Sequence, residues 1–142
     1  MTDRQLALQA WESLFRAQHE LFGDMMSDFE GTEISQAEYD VLLTTVRSPE
    51  MSARLRDITA NMLISQPSVS RLVDRMVTRG LVTKAPDASD ARSSIVTATD
   101  AGARAFRTVA TVHGRSIARC MSPLDDEELR TLLALTRKLR GI

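Results

Sequence analysis

The feature that most restricts how this chain can fold is the run "SQPSVSRLVDRMVTRGLV" at residues 65–82. Val69, Leu72, Val73, Met76 and Val77 recur at i, i+3, i+4, i+7 and i+8, the spacing of one apolar helix face. The opposite face carries Ser68, Ser70, Arg71, Asp74, Arg75 and Thr78. Just upstream, "RLRDITANML" sets Leu55, Ile58 and Met62 on one face of a second short helix, with only about residues 63–65 between the two. Two short helices joined by so tight a turn read as a helix-turn-helix. Ser65 is the expected N-cap, Pro67 falls in the first turn where its missing N–H costs little, and Gly80 ends the helix at C′.

The residues beyond Gly80 narrow the fold further. The β-branched runs 81–84 and 94–97 flank Pro86, Asp87, Ala88, Ser89 and Asp90, a turn-forming cluster. That pattern predicts a β-hairpin with a loop of several residues. A helix-turn-helix followed by a two-stranded hairpin is a winged helix. Before it, "SQAEYDVLL" predicts a helix with a capping box, Ser35 and Glu38, and a hydrophobic staple, Ile34 and Tyr39; Pro49 ends that helix. After it, Thr99 caps a long helix with Phe106, Val109, Ala110, His113, Ile117 and Cys120/Met121 on one stripe. A last helix opens on the pair Asp125 and Glu128.

The expected architecture is therefore mainly α with a small β-hairpin wing, one domain over residues 1–142. Residues 34–99 form the winged-helix lobe. Residues 1–30 and 100–142 supply helices whose apolar faces have no partner within so small a lobe, so a dimer interface is expected to cover them. On the last helix that face is Leu129, Leu132, Leu133 and Leu139.

The polar face of the second short helix has a chemical reading. A recognition helix offers its N-terminal residues to base edges in the major groove, where small polar side chains permit close approach. Ser and Gln donate and accept hydrogen bonds, and arginine binds guanine bidentately or clamps phosphate. Gln66, Ser68, Ser70 and Arg71 form the expected reading set, beside Ser65 and Pro67 of the opening turn, and Arg75 is the expected phosphate contact. Free N–H groups near Ser65 would add anion binding. In the hairpin, Arg92 suits the negative minor groove, with Asp90 holding its guanidinium. The plainer reading of the same residues is a solvated helix face and a surface Asp–Arg pair.

Charge distribution fits a polyanionic partner. The net charge of −1 conceals 3 basic and 10 acidic residues in 1–50, against 7 and 4 in 51–92 and 8 and 5 in 93–142. No apolar run approaches the length of a membrane span, and the start "MTDRQLALQAWESLF" lacks signal-peptide features. The single Cys120 excludes an internal disulfide, so a reducing, cytoplasmic setting is expected. His19 and His113 fall on different helices, no metal-ligand spacing occurs, and there is no phosphate-cradling glycine loop or nucleophile elbow. No enzyme, metal or cofactor is expected. Cys120 and His113 read as buried packing residues.

The stretches "ISQAEYDVLL" (34–43), "SQPSVSRLVDRMVTRGLV" (65–82), "PDASDARSS" (86–94) and "TDAG" (99–102) resemble the MarR family of bacterial winged-helix transcriptional regulators. Asp90-Ala91-Arg92 matches the D-x-R element of that family's wing. The resemblance implies a homodimer held by its terminal helices, binding a pseudo-palindromic DNA operator, usually as a repressor. It also implies a small aromatic effector, for which Trp11, Phe15, His19 and Phe22 are the candidate lining; at helical spacing the same residues serve as plain core. Leu63 stands where the family often has glycine. A left-handed leucine is costly, so a different turn geometry is expected. The rival to a DNA-binding regulator is a winged-helix protein-interaction module without DNA binding.

Overall fold

Helix α1 (Arg4–Met25) opens the computed structural model, which describes residues 3–142. A short 3-10 turn at Met26–Phe29 comes next. Helix α2 (Gln36–Arg47) starts on the capping box its sequence spells. Ser35 Oγ accepts from the Glu38 amide at 3.2 Å, and Glu38 Oε1 accepts from the Ser35 amide at 2.9 Å. Ser48 caps its C-terminus in extended geometry, as expected of a residue before proline.

Beyond α2 the chain makes a 3-10 turn at Pro49–Met51 and then a strand, β1 (Ser52–Arg54), which the sequence pattern does not announce. Helices α3 (Leu55–Asn61) and α4 (Val69–Thr78) form the helix-turn-helix. Strands β2 (Val82–Asp87) and β3 (Asp90–Ala98) form the wing, followed by α5 (Asp100–Met121) and α6 (Asp126–Arg140). The sheet is antiparallel in the order β1-β3-β2, with Ala53 opposite Val96 and Lys84 opposite Val96 on its other side. So the wing is longer than expected: both strands run on to Asp87 and Asp90, and only Ala88 and Ser89 turn at the tip.

By contact the described residues fall into two units, 26–112 in one and the stretch up to Met25 with residues 113–142 in the other. The first is a winged-helix lobe around Ile34, Val41, Leu42, Ile58, Val73, Met76, Val82 and Val96, all essentially buried. Tyr39 stacks on Phe106 (centroids 5.2 Å, 23°) and meets Phe29 edge-on (5.5 Å, 68°). Burial pushes its phenol pKa up, against a smaller opposing effect of Arg47. From α4 come Val69, Leu72, Val73 and Met76, each stabilising the lobe by about 1.5–3 kcal/mol on burial.

Two backbone junctions explain residues of the sequence motifs. At the end of α4, Gly80 takes φ +74, its amide bonds the Val77 carbonyl, and the Leu81 amide bonds the Met76 carbonyl. That is the Schellman closure. Thr99 then donates its hydroxyl to the Gly80 carbonyl at 2.6 Å and accepts from the Gly102 amide at 3.0 Å, capping α5. A Cβ on Gly102 would lie 2.0 Å from the Leu81 carbonyl oxygen, so α5 can start here only on glycine. "TDAG" is thus a helix start seated on the end of α4.

In the second unit no residue of α1 or α6 is buried. Trp11 stacks on Phe15 at 5.3 Å, and Trp11, Leu14, Phe15, Thr136 and Leu139 line an apolar hollow of about 340 Å³. Along α5 the stripe departs from expectation at one point: His113 and Ser116 are buried, while Ile117 is exposed.

Candidate nucleic-acid interface

The reading helix starts later than its sequence suggested. Its N-cap is Ser68, whose Oγ accepts from the Arg71 amide at 3.2 Å. Ser65, Gln66 and Pro67 lie outside the helix, in a turn that spans residues 62–68 rather than 63–65. The cause is a side chain from elsewhere. Asp40, on α2 and only 1 % exposed, accepts from the amides of Leu63 at 3.0 Å and Ile64 at 3.1 Å. These bonds hold the chain out of helical geometry after Met62 and give the turn its shape. Among the described residues, positive φ outside glycine occurs only at Glu50 and Met51, so Leu63 avoids the left-handed region.

On α4 itself, Ser70, Arg71, Asp74 and Arg75 are exposed, opposite the buried Val69, Leu72, Val73 and Met76. Arg71 and Arg75 stand one turn apart, as positions four apart on one helix must. The Asp74 carboxylate, which would repel an anion, is engaged by Lys84 of β2 at 3.0 Å. Arg79, the third arginine of the run, does not join them: its guanidinium contacts the Glu38 carboxylate and the Glu33 carbonyl. The exposed α4 face therefore presents two guanidinium groups and a serine.

The wing carries Asp90 and Arg92, both exposed. Their relationship differs from the expected ion pair: Asp90 Oδ1 accepts from the backbone amide of Arg92 at 3.0 Å. This shapes the strand and leaves the guanidinium to other contacts. Arg92 lines a hollow of about 510 Å³ with Leu55, Arg56, Thr59, Asp90, Ser93 and Ser94. The structure thus adds Arg56 of α3 to the basic surface. A seven-residue helix gave too little periodicity to show which way that arginine faces.

At the wing tip the carboxylate that matters is Asp87. Its Oδ1 accepts from the Ser89 amide at 2.9 Å and the Ser89 hydroxyl at 2.7 Å, and its Oδ2 lies 3.1 Å from Arg54 Nε. The Ser89 amide first, then its hydroxyl, hold the Asp87 carboxyl below the usual carboxylate range, with the Arg54 charge adding to them against the effect of burial.

Residues 32–93, which span the helix-turn-helix and most of the wing, match the model of the MarR family. Over this stretch the chain is similar to the MarR family. Solved structures agree over its length. AbsC, a MarR family transcriptional regulator from Streptomyces coelicolor, superposes with a TM-score of 0.78 at 24 % identity, covering 100 % of this chain and 98 % of its own. Another MarR family regulator from the same organism, solved in complex with DNA, gives 0.82 at 20 %, over 99 % and 89 %. The PcaV regulator, also from Streptomyces coelicolor and solved with its natural ligand, gives 0.73 at 23 %, over 99 % and 98 %. At such identities the likeness is one of fold. No curated protein matches the chain by sequence.

Of the remaining site residues, Trp11, Phe15 and His19 lie exposed on α1 beside a hollow of about 310 Å³, with Glu12, Arg16 and Glu20. Phe22 is half-buried and does not line it. On α6, Leu129 and Leu132 are half-buried, while Leu133 and Leu139 are 49 % and 76 % exposed. Cys120 is a free, half-buried thiol. No cluster of three metal-ligating side chains occurs among the described residues, and no helix among them is long and apolar enough to cross a membrane.

Proposed function

We propose that this protein is a sequence-specific DNA-binding transcriptional regulator that acts as a homodimer, and that it represses by occupying a pseudo-palindromic operator. The observation that carries the reading is the exposed face of α4. A short helix with four buried apolar residues presents Ser70, Arg71 and Arg75 outward, with the intervening Asp74 neutralised by Lys84. Such a face enters a major groove and reads base edges with its first turn. Gln66 in the preceding turn adds an amide to the reading set. Arg92 and Arg56 supply a second basic contact for phosphate or the minor groove.

The homodimer is supported by the apolar surface of the second unit. Leu6, Leu8, Trp11, Leu14 and Phe15 on α1, with Leu133, Leu135 and Leu139 on α6, are all exposed in the single chain. A second copy would cover them, and dimeric helix-turn-helix proteins bind two half-sites about one DNA turn apart. Release by a small aromatic ligand is supported by the stacked, exposed Trp11 and Phe15 and the neighbouring His19.

A gel-shift measurement with the intergenic DNA upstream of the protein's own gene, in excess random competitor, tests the reading. A retarded complex whose footprint has dyad symmetry is expected. Equal competition by random duplex would leave only non-specific binding, and no shift at all would favour a protein-interaction role.

A further inference from the structure

Arg54 occupies a position that, by its local chemistry, belongs to a different residue. It is the N-cap of α3, where Ser, Thr, Asp or Asn would satisfy a free amide, and it makes no capping hydrogen bond. Its side chain instead reaches the wing. Arg54 Nε lies 3.1 Å from Asp87 Oδ2, and Nη2 lies 3.5 Å from Ser89 Oγ. The Asp87 side chain is 9 % exposed, and its Oδ2, buried, has no hydrogen-bond partner to supplement this ion pair. The other carboxylate oxygen closes the Ala88–Ser89 turn through the two bonds from Ser89. One carboxylate therefore ties the turn of the wing to the start of α3.

Resting on the DNA-binding function proposed above, we propose that Arg54 is the residue that positions the wing for DNA, through its ion pair with Asp87. Sheet pairing alone leaves the far end of the hairpin weakly held. β1 pairs with β3 only from Ser52↔Thr97 to Arg54↔Ile95, and the β2–β3 register breaks between Pro86 and Asp87. Arg92 sits on β3 between the last of these pairs and the tip, so its position depends on where the tip is held. Asp90 does not do this, being spent on the Arg92 backbone.

Two substitutions give signs that no simpler role reproduces. Asp87→Asn keeps an oxygen to accept from Ser89 but removes the charge that Arg54 holds. If Asp87 were only a surface acid near DNA, removing it would tighten binding. A positioning role predicts weaker binding, by about five- to tenfold at physiological salt, the size of one displaced arginine contact. Arg54→Ser removes the tie, while the new N-cap on α3 offsets part of the cost of leaving Asp87 Oδ2 buried without its partner, so the fold is retained and DNA affinity falls by the same factor.

The experiment uses the full-length protein and the duplex that the wild type enriches from a random pool, titrated at several salt concentrations. The double variant Arg54→Ser/Asp87→Asn should bind no worse than either single one, and in all three the salt slope should fall by about one ion per half-site, as when Arg92 itself is removed, because Arg54 acts only through the contact that Arg92 makes. Arg54→Ser binding as tightly as the wild type, or Asp87→Asn binding more tightly, overturns the proposal. A wild type that enriches no sequence overturns the DNA-binding reading itself, and is seen before any variant is made.

Discussion

Asp40 and Leu63, 23 positions apart, are joined by a hydrogen bond of 3.0 Å from the Leu63 amide to a carboxylate that is almost wholly buried. The same oxygen takes the Ile64 amide. Helix α2 thereby holds the turn from which the reading helix departs, and the order of the helix-turn-helix depends on a residue outside it.

Removing that carboxylate should therefore cost more than a surface acid would. Asp40→Ala leaves two amides without their acceptor and should lower unfolding stability by about 3 kcal/mol, whereas Asp40→Asn retains an oxygen and should lose about 1 kcal/mol. Urea denaturation of the two variants against wild type measures both. If Asp40→Ala unfolds at the wild-type midpoint, the turn is held by other means.

Gly102 offers a test of opposite sign to helix propensity. In an unconstrained helix, Gly→Ala stabilises by about 1 kcal/mol. Here the new methyl would lie 2.0 Å from the Leu81 carbonyl oxygen, and backbone on both sides must move. Gly102→Ala should destabilise the lobe by about 3 kcal/mol or more. A calorimetric midpoint equal to or above that of the wild type would mean that α5 does not start on the end of α4.

These two residues show where the sequence was legible and where it was not. Local signals read correctly: the capping boxes at Ser35/Glu38 and Asp125/Glu128 and the Gly80 closure each rest on atoms within a few residues of one another. The apolar period of α4 named its buried face except at Val77, which is 39 % exposed. What failed was set from a distance. Ser65 looked like a cap because nothing nearby contradicts it, yet Asp40 holds the turn open and hands the cap to Ser68. The pairing of Asp90 with the Arg92 guanidinium rested on sequence proximity, whereas Asp87 found Arg54 through the sheet. Strand β1, three residues between a 3-10 turn and a helix, carries no period of its own and exists because β3 offers it an edge.

The exposed leucines of α6 predict an assembly. With Leu133 and Leu139 49 % and 76 % exposed, burial against a partner should contribute about 1 kcal/mol each. Changing both to lysine removes four such contributions from a symmetric dimer, weakening it by about a thousandfold. Sedimentation of Leu133→Lys/Leu139→Lys should show monomer where the wild type is dimer, with the helical circular dichroism of the lobe retained. A double variant that sediments like the wild type would place the interface elsewhere.

The division of labour between α4 and the wing gives the last prediction. Arg71 is exposed in the first turn of α4, its backbone amide capped by Ser68, so its side chain is free to meet a base edge. Arg71→Ala should cost about 1–3 kcal/mol per half-site on the selected duplex and much less on random duplex. Arg92 lies on the wing, where contact is with phosphate and the minor groove, so its loss should weaken both duplexes alike. Its removal should also lower the salt dependence by about one ion per half-site. Asp90→Ala separates two versions of the wing. A carboxylate gripping the Arg92 guanidinium would make the variant a partial copy of Arg92→Ala. A carboxylate bonded to the Arg92 amide, as found, predicts a nearly unchanged salt slope and a faster-exchanging amide at Arg92. Titration of the three variants at several salt concentrations, with amide exchange on the free protein, decides between them. An Arg92→Ala variant with wild-type affinity at every salt concentration would remove the wing from the DNA interface altogether.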